Sequence, residues 1–254
     1  MWYSIKSIIK PDTLAEAYSL QQGERTTLFS GGSYLVAEKN QSIQTLIDVN
    51  SLTGNTITAS SECVEINAGA TLQSFIDIVK HINPNSRLLD GAKNSCPSKN
   101  LRNQRTFGGE VGQNRPNSEI LVFLHAVDAE LIIFTNSEKT ISIRKWDGKG
   151  VVTRITYYPK QIDSIELHRY SVLPSAPAIV IVGGTRRNGH IELSVGGTAT
   201  KIQTFTIKAE EWSDNSIANI AEKAISQFIP DHFGSLNYKE SLITTAVKRV
   251  VDAL

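Results

Sequence analysis

The chain has 254 residues, and 26 Lys and Arg against 25 Asp and Glu leave a formal net charge of +1. A hydrophobic fraction of 40% is enough for a large core, which excludes global disorder, and the balanced charge argues against a dedicated nucleic-acid binder. Two cysteines and five scattered histidines argue against a disulfide scaffold, a four-thiolate iron–sulfur cluster and a structural zinc site, so we expect no metal.

The hydrophobic segments are too interrupted for a signal peptide or a membrane span. Residues 1–10 carry Lys6 and Lys10 among their apolar positions. The most apolar stretch, residues 120–134, contains charged or titratable side chains at 125, 128 and 130. We therefore expect a cytoplasmic protein.

Apolar residues follow both the helical and the strand period, which indicates an α+β protein. Four helices are predicted to begin at Thr13, in a capping box with Glu16, at Thr71, at Ser216 and at about Tyr238. Pro84 is expected to end the second of them. Short β-rich runs are predicted at 27–29, 46–49, 56–59, 64–67, 129–134, 140–143, 152–158, 164–170, 178–182, 190–195 and 204–207.

A domain boundary is predicted near residues 159–163, where the sequence reads Tyr-Pro-Lys-Gln-Ile-Asp from position 158. Residues 1–162 then form one domain. Residues 163–254, with several strands followed by two helices, form a small α+β domain of their own.

Four Gly-Gly pairs are candidates for phosphate binding: Gly31-Gly32, Gly108-Gly109, Gly183-Gly184 and Gly196-Gly197. Glycine pairs allow tight turns with positive φ and bring backbone amides close to a ligand. A plain tight turn is the alternative explanation for each pair. Neither a P-loop nor a complete Gly-x-Gly-x-x-Gly motif occurs, which disfavours P-loop and Rossmann nucleotide binding.

Several segments, in the same order along the chain, resemble one known family. They are residues 30–39, 46–49, 66–72, 102–119, 124–130, 193–199 and 231–239. The most specific is Arg-Asn-Gln-Arg-Thr-Phe-Gly-Gly-Glu-Val, from Arg102 to Val111. Through them the chain resembles the FAD-binding medium subunit of the molybdenum hydroxylases, of the xanthine dehydrogenase and carbon monoxide dehydrogenase type.

The resemblance implies a fold and a cofactor site. The expected fold is a two-subdomain FAD-binding domain of the vanillyl-alcohol-oxidase (PCMH) type, with subdomains at about 1–55 and 56–162, followed by the C-terminal domain. The family positions expected to bind FAD are Ser30, Gly31, Gly32, Ser33, Tyr34, Leu35, Thr106, Gly108, Gly109, Glu110, Asn114 and Glu119.

Specific roles follow by match of position. Residues 30–35 would wrap the pyrophosphate with backbone amides, and Thr106, Gly108 and Gly109 would approach the diphosphate or the flavin from the other side. Glu119 takes the place of a family Asp and would accept from an FAD hydroxyl. Because Ser33 stands where covalent flavoproteins often carry histidine, the flavin is expected to be noncovalent.

The family also implies partners: a small subunit with [2Fe–2S] clusters and a large molybdenum-cofactor subunit. Electrons would pass from those clusters through FAD to an acceptor such as NAD, quinone or oxygen. The flavin carries the chemistry, so no catalytic acid–base residue is expected in this chain.

The chain departs from the family at Glu110, where the second loop usually reads Gly-Gly-Asn, and in the short segments 143–153 and 171–177. A carboxylate at 110 would repel a diphosphate unless it points away. Two alternatives therefore stay open: a flavin-free assembly module, and a stand-alone flavoprotein oxidoreductase.

Residues 91–109 contain Lys93, Lys99, Arg102 and Arg105 and no acidic residue. This basic segment could offset the FAD diphosphate or dock an acidic iron–sulfur partner. A solvated basic loop is the equally weighted alternative.

Overall fold

The computed structural model describes residues 2–82 and 86–254 and contains three β-sheets. Pro84, the predicted end of the second helix, lies outside the described residues.

The first sheet is parallel and belongs to the N-terminal part of the chain. Its elements are β1 (Ser7–Ile9), α1 (Leu14–Gln21), β2 (Thr26–Phe29), α2 (Ser33–Glu38) and β3 (Thr45–Asp48), with strand order β1-β3-β2. The predicted cap is confirmed, since Thr13 Oγ1 accepts from the Glu16 amide at 3.1 Å. Strand β2 is an edge strand, so one side of its backbone has no strand partner.

The second sheet is antiparallel, with strand order β4-β5-β8-β6-β7. Its strands are β4 (Ile57–Ala59), β5 (Val64–Asn67), β6 (Glu130–Phe134), β7 (Glu138–Ser142) and β8 (Val151–Tyr157). Between β5 and β6 lie α3 (Leu72–Ile82), α4 (Arg87–Ser95), α5 (Lys99–Arg102), α6 (Phe107–Gln113) and α7 (Glu119–Ala126). The largest core cluster joins this sheet to α3, α4, α6 and α7.

The third sheet is formed by β9 (Ser164–Tyr170), β10 (Val180–Arg187), β11 (His190–Gly197) and β12 (Gln203–Lys208), in the order β12-β11-β10-β9. Helices α8 (Asp214–Ile225) and α9 (Leu236–Ala253) follow and share a second core with it.

Helix α7 joins the second and third sheets. All eight of its residues are buried, and six of them are apolar, as expected for a helix in the interior of a protein. Val122 of α7 packs with Ala178 and Ile181 at the third sheet, while Leu121 and Leu124 belong to the core of the second.

Two of the four glycine pairs serve this packing. A Cβ at Gly183 would lie 3.2 Å from Ala126 of α7, and one at Gly184 would lie 2.5 Å from Val250 of α9. The pair therefore lets β10 approach a helix on each of its faces. A Cβ at Gly196 would overlap the backbone oxygen of Pro116, and Gly197, at φ 132°, donates its amide to that same oxygen at 2.8 Å. Both pairs therefore lie within strands, where the lack of a side chain allows close packing.

The predicted helices and strands all appear, with shifted ends. Helix α8 begins at Asp214 after Ser213, and Ser216 occupies the third helical position of a capping box instead of the predicted cap position. Helix α9 begins two residues before the predicted start, because Ser235 caps it. Residues 7–9 (β1) and five helices (α2, α4, α5, α6 and α7) were not expected from the periodicity.

Among residues 2–82 and 86–254, no helix has both the length and the apolar character needed to cross a bilayer.

We expect Gly196→Ala to lower the free energy of unfolding by about 1–3 kcal/mol, because its Cβ would collide with the Pro116 backbone and with Val122. Urea denaturation followed by circular dichroism measures this. The matched control is Gly112→Ala on α6, where a Cβ meets no atom within 4 Å. That variant should be as stable as the wild type or up to about 1 kcal/mol more stable, since alanine favours helix. Equal stability of Gly196→Ala and wild type would contradict the packing role.

Candidate cofactor site

A cleft of about 320 Å³ lies between the first sheet and helix α6. Ten of the twelve predicted site residues line it: Ser30, Gly31, Gly32, Ser33, Tyr34, Leu35, Thr106, Gly108, Gly109 and Glu110. Strand β2 contributes all four of its residues, and Trp146 and Gly148, from the segment before β8, line it too. The two glycine loops selected from the sequence therefore meet at one cleft.

The first glycine loop presents backbone donors to this cleft. Gly32 has φ 67° and caps α2, and the first amide bonded within that turn is that of Val36, which donates to the Gly32 oxygen at 2.9 Å. The four preceding amides, 32–35, have no acceptor among the described residues, as helix geometry requires at an uncapped N-terminus. Such a group of amides favours an anion.

The second glycine loop has its amides already bonded. The Phe107 amide donates to the Ala70 oxygen, the Gly108 amide to the Ala68 oxygen at 2.7 Å, and the Gly109 amide to Thr106 Oγ1 at 3.1 Å. The loop runs beside residues 68–72 and is held there. The Gly108 amide is therefore used within the protein, while the approach of Gly108 to the diphosphate or the flavin stays a prediction.

Glycine at 31, 32 and 108 is required by packing. A Cβ at Gly31 would overlap the backbone oxygen of Gln104, and one at Gly108 would lie 2.7 Å from Ala68 Cβ. At Gly32 a Cβ would overlap the ring of Phe29. These glycines therefore let the two loops pack closely against neighbouring backbone and side chains.

At the cleft, an added Cβ would meet fewer atoms at Gly109 and Gly112 of α6 than at Gly31, Gly32 or Gly108, and Gly148 before β8 is also open. A Cβ at Gly109 would contact only Thr106 Oγ1, at 3.0 Å, and one at Gly112 would contact nothing within 4 Å. They lie three residues apart on α6, hence on one face of the helix. Gly112 was not selected from the sequence, because it stands outside any Gly-Gly pair. Its spacing from Gly109 is the signal that could have found it.

Glu110 is buried, with 2% of its side chain exposed, and its charge is compensated. Arg105 Nε lies 3.3 Å and Arg115 Nη2 3.2 Å from Glu110 Oε1, and Ser118 Oγ donates to Oε2 at 2.7 Å. Two guanidinium charges around one carboxylate leave this cluster with one net positive charge. Glu110 therefore does not present an unpaired negative charge to the cleft, which weakens the repulsion of a diphosphate that a carboxylate at this position would otherwise exert.

Asn114 and Glu119 are not among the residues that line the cleft. Asn114 ends α6 in the left-handed conformation, at φ 46°. Glu119 accepts from Ser95 Oγ at 2.7 Å and pairs with Arg169 Nε at 2.9 Å. Burial raises the pKa of the Glu119 carboxyl, against the opposing effects of Ser95 and Arg169. Its contact with an FAD hydroxyl stays a prediction; in this structure each carboxylate oxygen already has a partner within the protein.

The basic segment is divided by the fold. Arg105 lines the cleft, while Arg102 is bonded to Gln73 and to the backbone oxygens of Cys96 and Pro97. Lys93 and Lys99 are exposed. Only Arg105 therefore stands where it can act on a ligand in the cleft.

Within the part of the chain that the structure describes, no group of three or more His, Cys, Asp or Glu side chains is arranged to hold a metal ion.

The sequence pattern of the FAD-binding domain in molybdopterin dehydrogenases matches residues 3–150, a span that contains the whole cleft apart from Val151 and Val152. The chain belongs to this family. The resemblance inferred from the sequence, the α+β fold class, FAD as cofactor and the oxidoreductase class are thereby confirmed.

Curated relatives agree with this family. The chain is similar to the glyceraldehyde dehydrogenase medium chain of Sulfolobus acidocaldarius, with 25% identity over 270 aligned positions that cover 93% of this chain and 94% of the relative. It also shares 28% identity over 149 positions with the uncharacterised protein YgfM of Escherichia coli K12, covering 56% of this chain and 54% of that protein.

Solved structures share the fold over the whole chain. A chain of carbon monoxide dehydrogenase from Hydrogenophaga pseudoflava superposes with a TM-score of 0.78 and 21% identity, covering 98% of this chain and 96% of its own. A chain of quinoline 2-oxidoreductase from Pseudomonas putida 86 superposes with a TM-score of 0.76 and 17% identity, covering 97% of this chain and 96% of its own. At these identities the likeness shows the fold alone.

We expect Glu110→Gln to lower the free energy of unfolding by about 3 kcal/mol, because two partly buried guanidinium groups lose their counter-charge. This loss of stability is at the lower end of the range for breaking a buried ion pair, because both arginine side chains keep some contact with water. Urea denaturation of the cofactor-free protein measures it.

The matched control for this charge removal is Glu65→Gln. Glu65 pairs with Arg154 at 3.4 Å with about two fifths of each side chain exposed, so the loss should be about 0.5 kcal/mol or less. Tighter FAD binding by Glu110→Gln without loss of stability would show that Glu110 repels the cofactor after all.

Proposed function

We propose that this chain is the medium subunit of a molybdenum hydroxylase complex and holds FAD noncovalently in the cleft between β2, α2 and α6. It would relay electrons between [2Fe–2S] clusters of a small partner subunit and an acceptor such as NAD, quinone or oxygen, with substrate oxidation on a large molybdenum-cofactor subunit. The end-to-end similarity to a glyceraldehyde dehydrogenase medium chain supports the subunit type. Cytoplasmic location stays a prediction.

The observation that carries the proposal is the set of unbonded amides at 32–35, which faces the cleft beside a net positive cluster. A diphosphate has only acceptor oxygens and carries negative charge, so it needs donors and positive potential. The amides of α2 supply donors from one side, and Arg105 supplies charge from the other. The donor set present therefore fits the cofactor of the family.

Of the two serine hydroxyls in the first glycine loop, one is hydrogen-bonded within the protein and the other is not. Ser30 Oγ donates to Asn50 Oδ1 at 2.9 Å, so its proton is used within the protein. Ser33, at the first position of α2, has no hydrogen bond from its hydroxyl to another described residue. We propose that Ser33 donates to a phosphate oxygen, a role that a flavin-linked histidine would not fill at this position.

FAD, when bound, would take up electrons one at a time, as [2Fe–2S] clusters deliver them, and pass them on singly or, after two have been taken up, as a hydride. The chain's own residues bind and orient it: the α2 amides and Arg105 hold the diphosphate, and Gly109 and Gly112 leave room along α6. The Trp146 side chain, fixed by donation from Nε1 to the Lys149 oxygen at 2.9 Å, covers one side of the cleft.

We retain the division of the chain into an FAD-binding domain, 1–162, with subdomains at about 1–55 and 56–162, and a C-terminal domain, 163–254, as part of this proposal. The first and second sheets fall on either side of residue 55, and the third sheet begins at Ser164. The cleft lies between the two proposed subdomains.

A flavin-free assembly module is the main alternative, and it is argued from the carboxylate at position 110 and from the short segments 143–153 and 171–177. The ion pairs of Glu110 with Arg105 and Arg115 speak against the first of these two arguments.

The first test is the visible spectrum of the purified protein, before and after dithionite, with acid release of the chromophore. We expect flavin bands that bleach on reduction, and FAD in the acid supernatant. A colourless protein that stays colourless after incubation with FAD would overturn the proposal in favour of the assembly module. A chromophore that remains with the acid-precipitated protein would contradict noncovalent binding.

Gly112→Leu should weaken FAD binding about tenfold or more, because the side chain grows into open space at the cleft without meeting protein atoms. Titration of the cofactor-free protein with FAD, followed by flavin fluorescence, measures the dissociation constant. Gly112→Ala is the matched control, since it makes the same change in helix propensity with one carbon and should bind FAD within about twofold of wild type. Equal affinity of the Leu variant and wild type would place FAD elsewhere.

A further inference from the structure

The first glycine loop and helix α2 are weakly attached to the rest of the protein. Helix α2 has six residues, of which Leu35 alone is buried, and Val36 on its outer side is half exposed. Short segments with few buried contacts open locally at low free-energy cost. Retention of a ligand by the amides of this segment therefore requires something that holds α2 against α6.

The Tyr34 side chain provides that attachment. The guanidinium of Arg115 lies over its ring, with Cζ 4.2 Å from the ring centroid. A cation this close to an aromatic face is attracted to it, more strongly where water is partly excluded, and 21% of the Arg115 side chain is exposed. The contact joins α2 directly to the segment that follows α6.

Arg115 is itself held from two directions. Its Nη2 pairs with buried Glu110 at 3.2 Å, and the next residue, Pro116, accepts from the Gly197 amide of β11 at 2.8 Å. Side chain and backbone are thus both anchored. In this pair Arg115 is the fixed member, and Tyr34, on a short and exposed helix, is the movable one.

We propose that Tyr34 and Arg115 form a clamp that keeps α2 closed over the cleft and thereby sets the rate at which bound FAD is released. The inference rests on the proposed function. Tyr34 acts here as a positioning residue, because its contact with Arg115 holds the amides that bind the ligand. Glu110, which replaces the usual asparagine, is the anchor that makes the guanidinium available in the right orientation.

The proposed clamp predicts different rates of FAD release for two substitutions of Tyr34. Tyr34→Leu keeps an apolar side chain but loses the aromatic face, and we expect FAD to dissociate about tenfold faster with little change in association rate. Tyr34→Phe keeps the face and should release FAD within about twofold of wild type. Dissociation is followed as the rise in flavin fluorescence after dilution of the loaded protein. Unfolding midpoints of the cofactor-free variants should match the wild type.

Arg115→Lys tests the other member of the pair. A lysine keeps the charge but lacks the planar guanidinium that can pair with Glu110 and stack on the ring together, so release should again be faster than in the wild type. A rate for Tyr34→Leu within twofold of wild type, or equal rates for Tyr34→Phe and Tyr34→Leu, would overturn the clamp.

Failure of the proposed function is distinguishable from failure of the clamp. If the wild-type protein binds no FAD, the function fails, and amide exchange of the cofactor-free protein still decides the clamp. The Val36 and Lys39 amides donate to the Gly32 and Leu35 oxygens, so their exchange reports opening of α2. Exchange should be faster in Tyr34→Leu and unchanged in Tyr34→Phe. Unchanged exchange in both variants would overturn the clamp on its own.

Discussion

The buried carboxylate of Glu110 is the group on which the arrangement of the cleft depends. An ionised side chain with 2% exposure is stable only if its charge is matched, and here Arg105, Arg115 and Ser118 all converge on it. Ser118 also accepts from the Leu121 amide and so begins α7. One charge thus sets the positions of the arginine at the cleft, the arginine over Tyr34 and the start of the central helix.

The two glycine loops each contain a Gly-Gly pair, but they have different physical tasks. In the second loop the amides at 107–109 are bonded, and Gly108 allows close packing on Ala68. In the first loop the amides at 32–35 have no acceptor among the described residues, while Gly31 allows contact with the Gln104 backbone. The second loop is therefore a rigid support, and the first is the one that presents donors to a ligand.

Much of the fold could be predicted from the sequence, because long amphipathic helices such as α3 and alternating strands such as β5 bury one face each. Helices α2, α5 and α6 were missed because they are short, and α6 contains three glycines, so caps and tertiary contacts hold them in place of propensity. The ion pairs of Glu110 could not be predicted for a similar reason. Its partners Arg105 and Arg115 stand five residues away on either side, a spacing at which helical neighbours do not pair, so only the tertiary fold brings them together.

The third sheet and helices α8 and α9 bear on the cleft although none of their residues lines it. Gly197 of β11 holds the Pro116 backbone, and Gly196 brings the strand close enough for that bond. Pro116 follows Arg115, whose guanidinium touches both Glu110 and Tyr34. A displacement of the third sheet would therefore move Arg115 relative to α2 before it altered any residue that touches the cofactor. In a complex whose other subunits contact the third sheet, this chain of contacts gives assembly a physical route to cofactor retention.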